Sequence, residues 1–242
     1  MLVPLLVWAF ADRWFAPALW PQELGLRGFR ALGSGGAGSA TATSIAVSLA
    51  ATAVTLLLAW PAGRALGLAR FRGREVLRLV LLAPVLFPAM ATALGMHAGF
   101  IRLGLADALL GVVLSHIVPA LPYAVATLAA SFEGFDARYE DVARSLGCAR
   151  TRIFFSVTLP LMWPGLVTAG LFAFLVSWSQ YALTLVMGGG VVVTLPVLLF
   201  GLASGGDLEV TAAATLAFLF PAMALMPITA RVLGGSNLGG RG

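Results

Sequence analysis

The chain has 242 residues, of which 60% are hydrophobic and only 10% charged, with a formal net charge of +5. A soluble domain carries about 25% charged residues, so this composition cannot coat a water-exposed globule and specifies an all-α integral membrane protein. Every basic residue is arginine, scattered in short gaps between apolar runs, which excludes a nucleic-acid-binding face.

The first apolar run, Met1 to Ala11, gives only about 16 Å of helix before Asp12 and Arg13, against a hydrocarbon core about 30 Å thick. It reads as a short or truncated first helix; a cleaved signal peptide would need a basic n-region that the run lacks. Ala31 to Gly38, rich in glycine, serine and alanine, reads as a flexible connection. Five runs long enough to span follow, at about Thr41 to Trp60, Leu79 to Ile101, Ala108 to Ser131, Leu159 to Met187, and Val210 to Ala230. Between the last two, Gly188 to Gly190 and Gly205 to Gly206 bracket Leu195 to Leu202. That stretch is apolar but too short to cross, so it reads as re-entrant or interfacial. Pro84, Pro88, Pro119, Pro122, Pro221 and Pro227 fall inside spans, where each removes a backbone donor and bends its helix.

The arginines set the orientation, because short cytoplasmic loops retain positive charge. Alternating the gaps puts Arg64, Arg70, Arg72, Arg74, Arg78, Arg138, Arg144, Arg150, Arg152, Arg231 and Arg241 on one side. Arg13, Arg27, Arg30 and Arg102 fall on the other. The first set is then cytoplasmic, and the topology is about six helices with both termini inside if the first run spans.

The inner segment at about 132–158 is longer than a connector needs to be. Asp136 is suited to cap a helix, and Glu140 and Asp141 lie in its first turn, where the helix dipole favours them. Val142, Ala143 and Leu146 form a small apolar face, flanked by Arg144, and Gly147 is suited to stop the helix in the left-handed conformation. A second basic helix re-enters at Leu159-Pro160. The short helix either lies among lipid headgroups or docks a soluble partner; its weakly apolar face favours docking.

The run Glu140-Asp-Val-Ala-Arg-Ser-Leu-Gly147, continued by Val157-Thr-Leu-Pro160 and Pro164-Gly165, resembles the EAA loop of permease subunits of binding-protein-dependent ABC importers. His116-Ile-Val-Pro-Ala-Leu-Pro-Tyr123 and Thr194-Leu-Pro196 are similar to the branch serving polyamines, thiamine and ferric iron. The resemblance implies one permease domain over residues 1–242 in a bacterial inner membrane, with a cytoplasmic coupling helix between the fourth and fifth spans. It further implies separate ATPase subunits that bind ATP and magnesium, a second permease subunit, and an outer solute-binding protein, periplasmic or lipid-anchored. The coupling residues it implies are Glu140, Asp141, Val142, Ala143, Arg144, Leu146, Gly147, Leu159 and Pro160. Val142 stands where alanine is usual, and Cys148 where alanine or a similar small residue is. Polyamine permeases tend to carry acidic residues where this chain reads Ser177-Trp-Ser-Gln-Tyr181, so the solute stays open.

Without a lysine there can be no Walker A loop in these residues, and no catalytic constellation appears. Trp178, Ser179, Gln180 and Tyr181 form the most polar and aromatic cluster within a span; they either line a solute path or pack helices. His97 and His116, on adjacent spans, admit a different reading as a membrane redox subunit holding haem, against which stands hydrogen bonding between helices. A secondary carrier is disfavoured, because the confident span cores hold no Asp, Glu or Arg to couple transport to ions.

Overall fold

The computed structural model describes residues 2–14 and 17–236; Met1 and Arg241, which enter the sequence reading, lie outside them. In chain order the elements are α1 (Leu2–Ala9), β1 (Ala11–Arg13), β2 (Glu23–Leu24), α2 (Arg27–Ser34), α3 (Ala37–Leu68), α4 (Arg74–Leu86), α5 (Ala89–Arg102) and α6 (Leu109–Glu133). Then come α7 (Arg138–Ser145), α8 (Arg150–Ile153), a π-helical turn (Phe154–Thr158), α9 (Leu159–Trp178), α10 (Ala182–Gly188), α11 (Leu195–Gly205) and α12 (Leu208–Ser236). The two short strands form one antiparallel ladder. Among the described residues four helices are long and apolar enough to cross a membrane: Ala37–Leu68, Leu109–Glu133, the continuous Arg150–Trp178, and Leu208–Leu225. The pair α4 and α5, bent by 102°, makes a fifth if it crosses as one. Helix α1 has eight described residues, about 12 Å, shorter than a straight crossing needs.

Three expected boundaries move. The first full span does not end at Trp60. Pro61 removes one backbone bond but leaves the helix running to Leu68, so Arg64 sits on a helix and not in a loop. The expected span Leu79 to Ile101 is two helices. Phe87 is extended, at φ −92° and ψ 141°, as the clash with the ring of Pro88 demands of the preceding residue. The expected span Leu159 to Met187 is also broken, at Ser179 to Tyr181. Ala31 to Gly38 is mostly helical, since α2 closes at Ser34 and α3 opens at Ala37. The short apolar stretch after Gly190 does form a helix, α11.

Contacts divide the chain into two interleaved units, residues 1–49, 89–115 and 178–226 in one, and 50–88, 116–177 and 227–242 in the other. Arg13, Arg27, Arg30 and Arg102 belong to the first; Arg64, Arg70, Arg72, Arg74, Arg78, Arg138, Arg144, Arg150 and Arg152 belong to the second. In the first unit α2 lies on α12, where Arg27 pairs with Asp207 at 3.0 Å and Glu209 at 3.8 Å above Leu32, Val210, Ala213 and Ala214.

The second unit packs α3, α6 and α9 through small residues, Ala59, Ala120, Ala124, Ala129, Ala169 and Ala173, around Leu128 and Phe132. In lipid, close van der Waals packing takes over from apolar burial as the force between helices. Two glycines set the α3–α6 approach: a Cβ on Gly63 would lie 2.6 Å from the Leu128 Cβ, and one on Gly67 would lie 2.7 Å from the Ala129 carbonyl oxygen. Gly67→Ala therefore lowers stability by about 1–3 kcal/mol. Gly99→Ala, with open space at its Cβ, does not. Thermal unfolding in detergent distinguishes the two, and equal melting temperatures would refute the close approach.

Candidate functional site

Helix α7 opens where Asp136 accepts the backbone N–H of Arg138 at 3.0 Å, one residue further from the helix than a standard cap. It closes at Gly147, whose φ of +79° is accessible to glycine at little cost. There the N–H of Cys148 donates to the Ala143 carbonyl at 3.1 Å and that of Gly147 to the Arg144 carbonyl at 3.0 Å. This is the paired Schellman closure. The glycine stop expected from the sequence is present.

The faces of α7 are inverted relative to a solvated helix. Glu140 is 6% exposed, whereas Val142 is 59% and Leu146 77% exposed. Ala143 is half-buried, and Asp141 and Arg144 are exposed, pairing with each other at 2.7 Å. The Glu140 carboxylate accepts Nη1–H of Arg64 on Oε1 at 2.8 Å and Nη2–H on Oε2 at 2.6 Å, and Oε1 also accepts the Thr158 hydroxyl at 2.6 Å. Arg64 comes from the end of α3, Thr158 from the π-helical turn before α9. Trp60 lies edge-on to Phe132 at 5.3 Å and to Phe154 at 5.5 Å, walling the same place. A hollow of about 370 Å³ opens beside the triad, lined by Trp60, Arg64, Arg144, Arg150 and Phe154 among others. Leu159 and Pro160 follow directly. The π turn widens the helix just before Pro160, whose ring would otherwise meet a carbonyl four residues back.

The Trp178 to Tyr181 cluster occupies the break between α9 and α10. Trp178 is buried, donates its indole N–H to the Phe218 carbonyl at 3.1 Å and stacks on the Phe218 ring, so it is a packing residue against α12. Tyr181 stacks on Phe200 of α11 at 4.1 Å. Ser179 is exposed, and Gln180 is half-buried with its carbonyl accepting the Thr184 hydroxyl at 3.0 Å. His116 is buried, its Nδ1 2.9 Å from the Ser177 hydroxyl, which is the interhelical hydrogen bond set against the haem reading.

A match to the family described as binding-protein-dependent transport system inner membrane component covers residues 56–234. The chain belongs to this family. The molybdenum transport system permease protein ModB of Mycobacterium tuberculosis is 36% identical over 164 residues, 61% of this chain and 61% of its own length. The putrescine transport system permease protein PotI of Escherichia coli is 28% identical over 174 residues, 69% of this chain and 62% of its own length. The chain thus spans about three fifths of the length of the curated relatives it matches. The crystal structure of a bacterial ABC transporter involved in the import of the acidic polysaccharide alginate matches with a TM-score of 0.71. The match covers 94% of this chain and 88% of that one at 20% identity, which establishes the fold.

Two residues of the permease's triad, Arg64 and Thr158, have no site role in the sequence pattern. Arg64 is hidden because Pro61 suggests that the span ends, and Thr158 because a hydroxyl inside an apolar run has no signature of its own. The available signal is the single guanidinium among the apolar residues Ala62 to Leu68. The Arg64 guanidinium, opposed in part by burial and assisted by Thr158, holds the Glu140 carboxyl below its ordinary value of 4.5. A depressed carboxyl stabilises the fold fully above its unfolded pKa, and that contribution is lost as pH falls through the folded pKa. Glu140→Gln accordingly costs about 1–2 kcal/mol at neutral pH, discounted because Arg64 reaches solvent. The difference in melting temperature from the native permease narrows below the ordinary carboxyl pKa. A gap that stays constant down to strong acid would contradict the ion pair.

Proposed function

We propose that this permease is the membrane subunit of an ATP-driven importer of the bacterial inner membrane. It forms half of a translocation path for a small hydrophilic solute, and a second permease, the same or a related chain, supplies the other half. Two ATPase subunits bind ATP and magnesium and grip α7 from the cytoplasm, and a solute-binding protein delivers cargo outside. The reading is supported above all by the inverted faces of α7. A helix that tucks its carboxylate against its own chain while leaving Val142 and Leu146 in water gains stability only when a partner covers them. These residues contain no lysine and so no P-loop, which places ATP binding outside them on this reading.

On this reading α7, with Gly147 as its stop and Leu159-Pro160 as the re-entry, is a rigid lever. Closure of the ATPase pair moves it, and the Glu140–Arg64 and Glu140–Thr158 bonds carry the motion into α3 and α9. The break at residues 179–181 supplies the path: Gln180 and Tyr181 offer uncharged hydrogen bonding and an aromatic face to a passing solute. The relatives named above serve molybdenum and putrescine, and this chain has no carboxylate in the break to favour a polycation.

Leu146→Asp and Val142→Asp are expected to weaken ATPase capture by about 10-fold or more each, from the loss of roughly 1.5–3 kcal/mol of apolar burial, with the melting temperature of the permease unchanged. Binding of the ATPase at undiminished affinity would overturn the docking reading. Gln180→Ala and Tyr181→Ala are expected to lower uptake into vesicles while assembly and ATP hydrolysis persist; unchanged uptake assigns these side chains to helix packing.

A further inference from the structure

A groove of about 250 Å³ runs between α4 and α6. Leu66, Leu81, Leu82, Pro122, Val125 and Ala126 form most of its wall, and its only charged residues are Arg78 and Glu133 at one end. At that end Arg74 and Arg78 share one oxygen of Glu133, each at 3.0 Å, and Arg78 also reaches Glu75 at 3.4 Å. Arg74 connects this end to a second hollow of about 360 Å³, lined by Arg70, Phe71, Gly73, Arg74, Glu75 and Val76.

The charge there does not balance. Residues 70 to 78 carry four arginines, and the two carboxylates within reach satisfy only Arg74 and Arg78. Arg70 and Arg72 are exposed and have no acidic partner among the described residues. The Nε–H of Arg74 is buried with no hydrogen-bond acceptor, a position costly to leave unfilled. Beyond these arginines α4 turns wholly apolar and presents Leu79, Val80 and Leu86 outward, each more than 60% exposed. The helix therefore passes from polar headgroup chemistry to hydrocarbon chemistry along its own length.

We propose that this groove binds one anionic phospholipid, with the phosphodiester among Arg70, Arg72 and Arg74 and an acyl chain along α6 over Ala126 and Ala130. A guanidinium fork suits phosphate oxygens in number and geometry, and arginines just outside a membrane helix attract anionic lipid. A free phosphate would leave the adjoining apolar groove empty. A protein helix would fill the groove and leave Arg70 and Arg72 uncompensated. The inference rests on the membrane fold and is independent of the transport reading.

The test is native mass spectrometry of the full chain in the complex it forms in its own membrane, equilibrated with phosphatidylglycerol or phosphatidylcholine of identical acyl chains. Phosphatidylglycerol is expected to be retained preferentially, glycerol 3-phosphate to displace none of it, and Arg70→Gln with Arg72→Gln to reduce the preference by about fivefold per arginine. Ala126→Trp and Ala130→Trp, both at exposed positions, fill the groove and are expected to abolish retention with the melting temperature preserved. Equal retention of the two lipids, a preference unaffected by the arginine pair, or displacement by glycerol 3-phosphate overturns the proposal. So does a photocrosslinker at Ala130 that captures a second polypeptide in place of lipid.

Discussion

A single carboxylate governs the junction of α7 with α3 and α9 in this permease. Glu140 accepts three hydrogen bonds from two other elements, the end of α3 and the π turn before α9. It lies in the first turn of a helix too short to hold its own shape in water. Buried ion pairs add little net stability, because desolvation offsets most of the attraction. Their directionality is what matters here. With α7 turning about 100° per residue, fixing Glu140 inward sets Val142 and Leu146 at about 200° and 240° around the axis, on the far side. The same bonds that attach the helix thus dictate which side chains face away from the chain, and no freely rotating surface helix could present them so consistently.

This arrangement also explains why the family's acidic position departs from what a surface motif suggests. A glutamate read as a docking contact is, in this conformation, consumed within the chain, and the exposed face of α7 falls to the residues with the least distinctive chemistry. Ala143, half-buried between the two faces, is small enough for a helix to approach it closely. Gly147 ends α7 before the next helix begins and lets the chain reverse without a side chain in the turn.

Much of the fold was legible because hydrocarbon is an unforgiving solvent: it demands long apolar helices and pushes arginine out of them. Runs of that kind located α3, α6, α9 and α12. The arginines, sorted by counting gaps, separate into the same two groups as the contact-defined units. What failed was the assumption that a proline or a polar cluster has a fixed effect. Pro61 sits inside α3 because its neighbours pack well enough to tolerate one lost bond. Pro88 does break its run, because the extended Phe87 before it ends one helix and lets the next set off at 102°. At Ser179 to Tyr181 there is neither proline nor glycine. The only hint was length: 29 residues of apolar sequence exceed what a straight crossing needs. Among the site residues, the α7 stop and its acidic first turn were readable from local chemistry. Arg64 and Thr158 were not, since their importance comes from contacts 76 and 18 residues away in sequence.

The two breaks bear on how a chain with so few charges keeps polar groups within an apolar bundle. Interrupting a helix frees backbone N–H and C=O groups, and at membrane depth these persist only where protein buries them or a wet cavity receives them. The break after α9 is lined by Ser179, Gln180 and Tyr181, side chains able to share hydrogen bonds with backbone and water without carrying charge. A break built from backbone dipoles, hydroxyls and an amide carries no fixed sign of charge. The relatives that match this chain are named for molybdenum and for putrescine, cargoes of different chemistry. Under the proposed transport role, selection by charge belongs outside these residues, and the junction at Glu140 serves the opening and closing of the bundle.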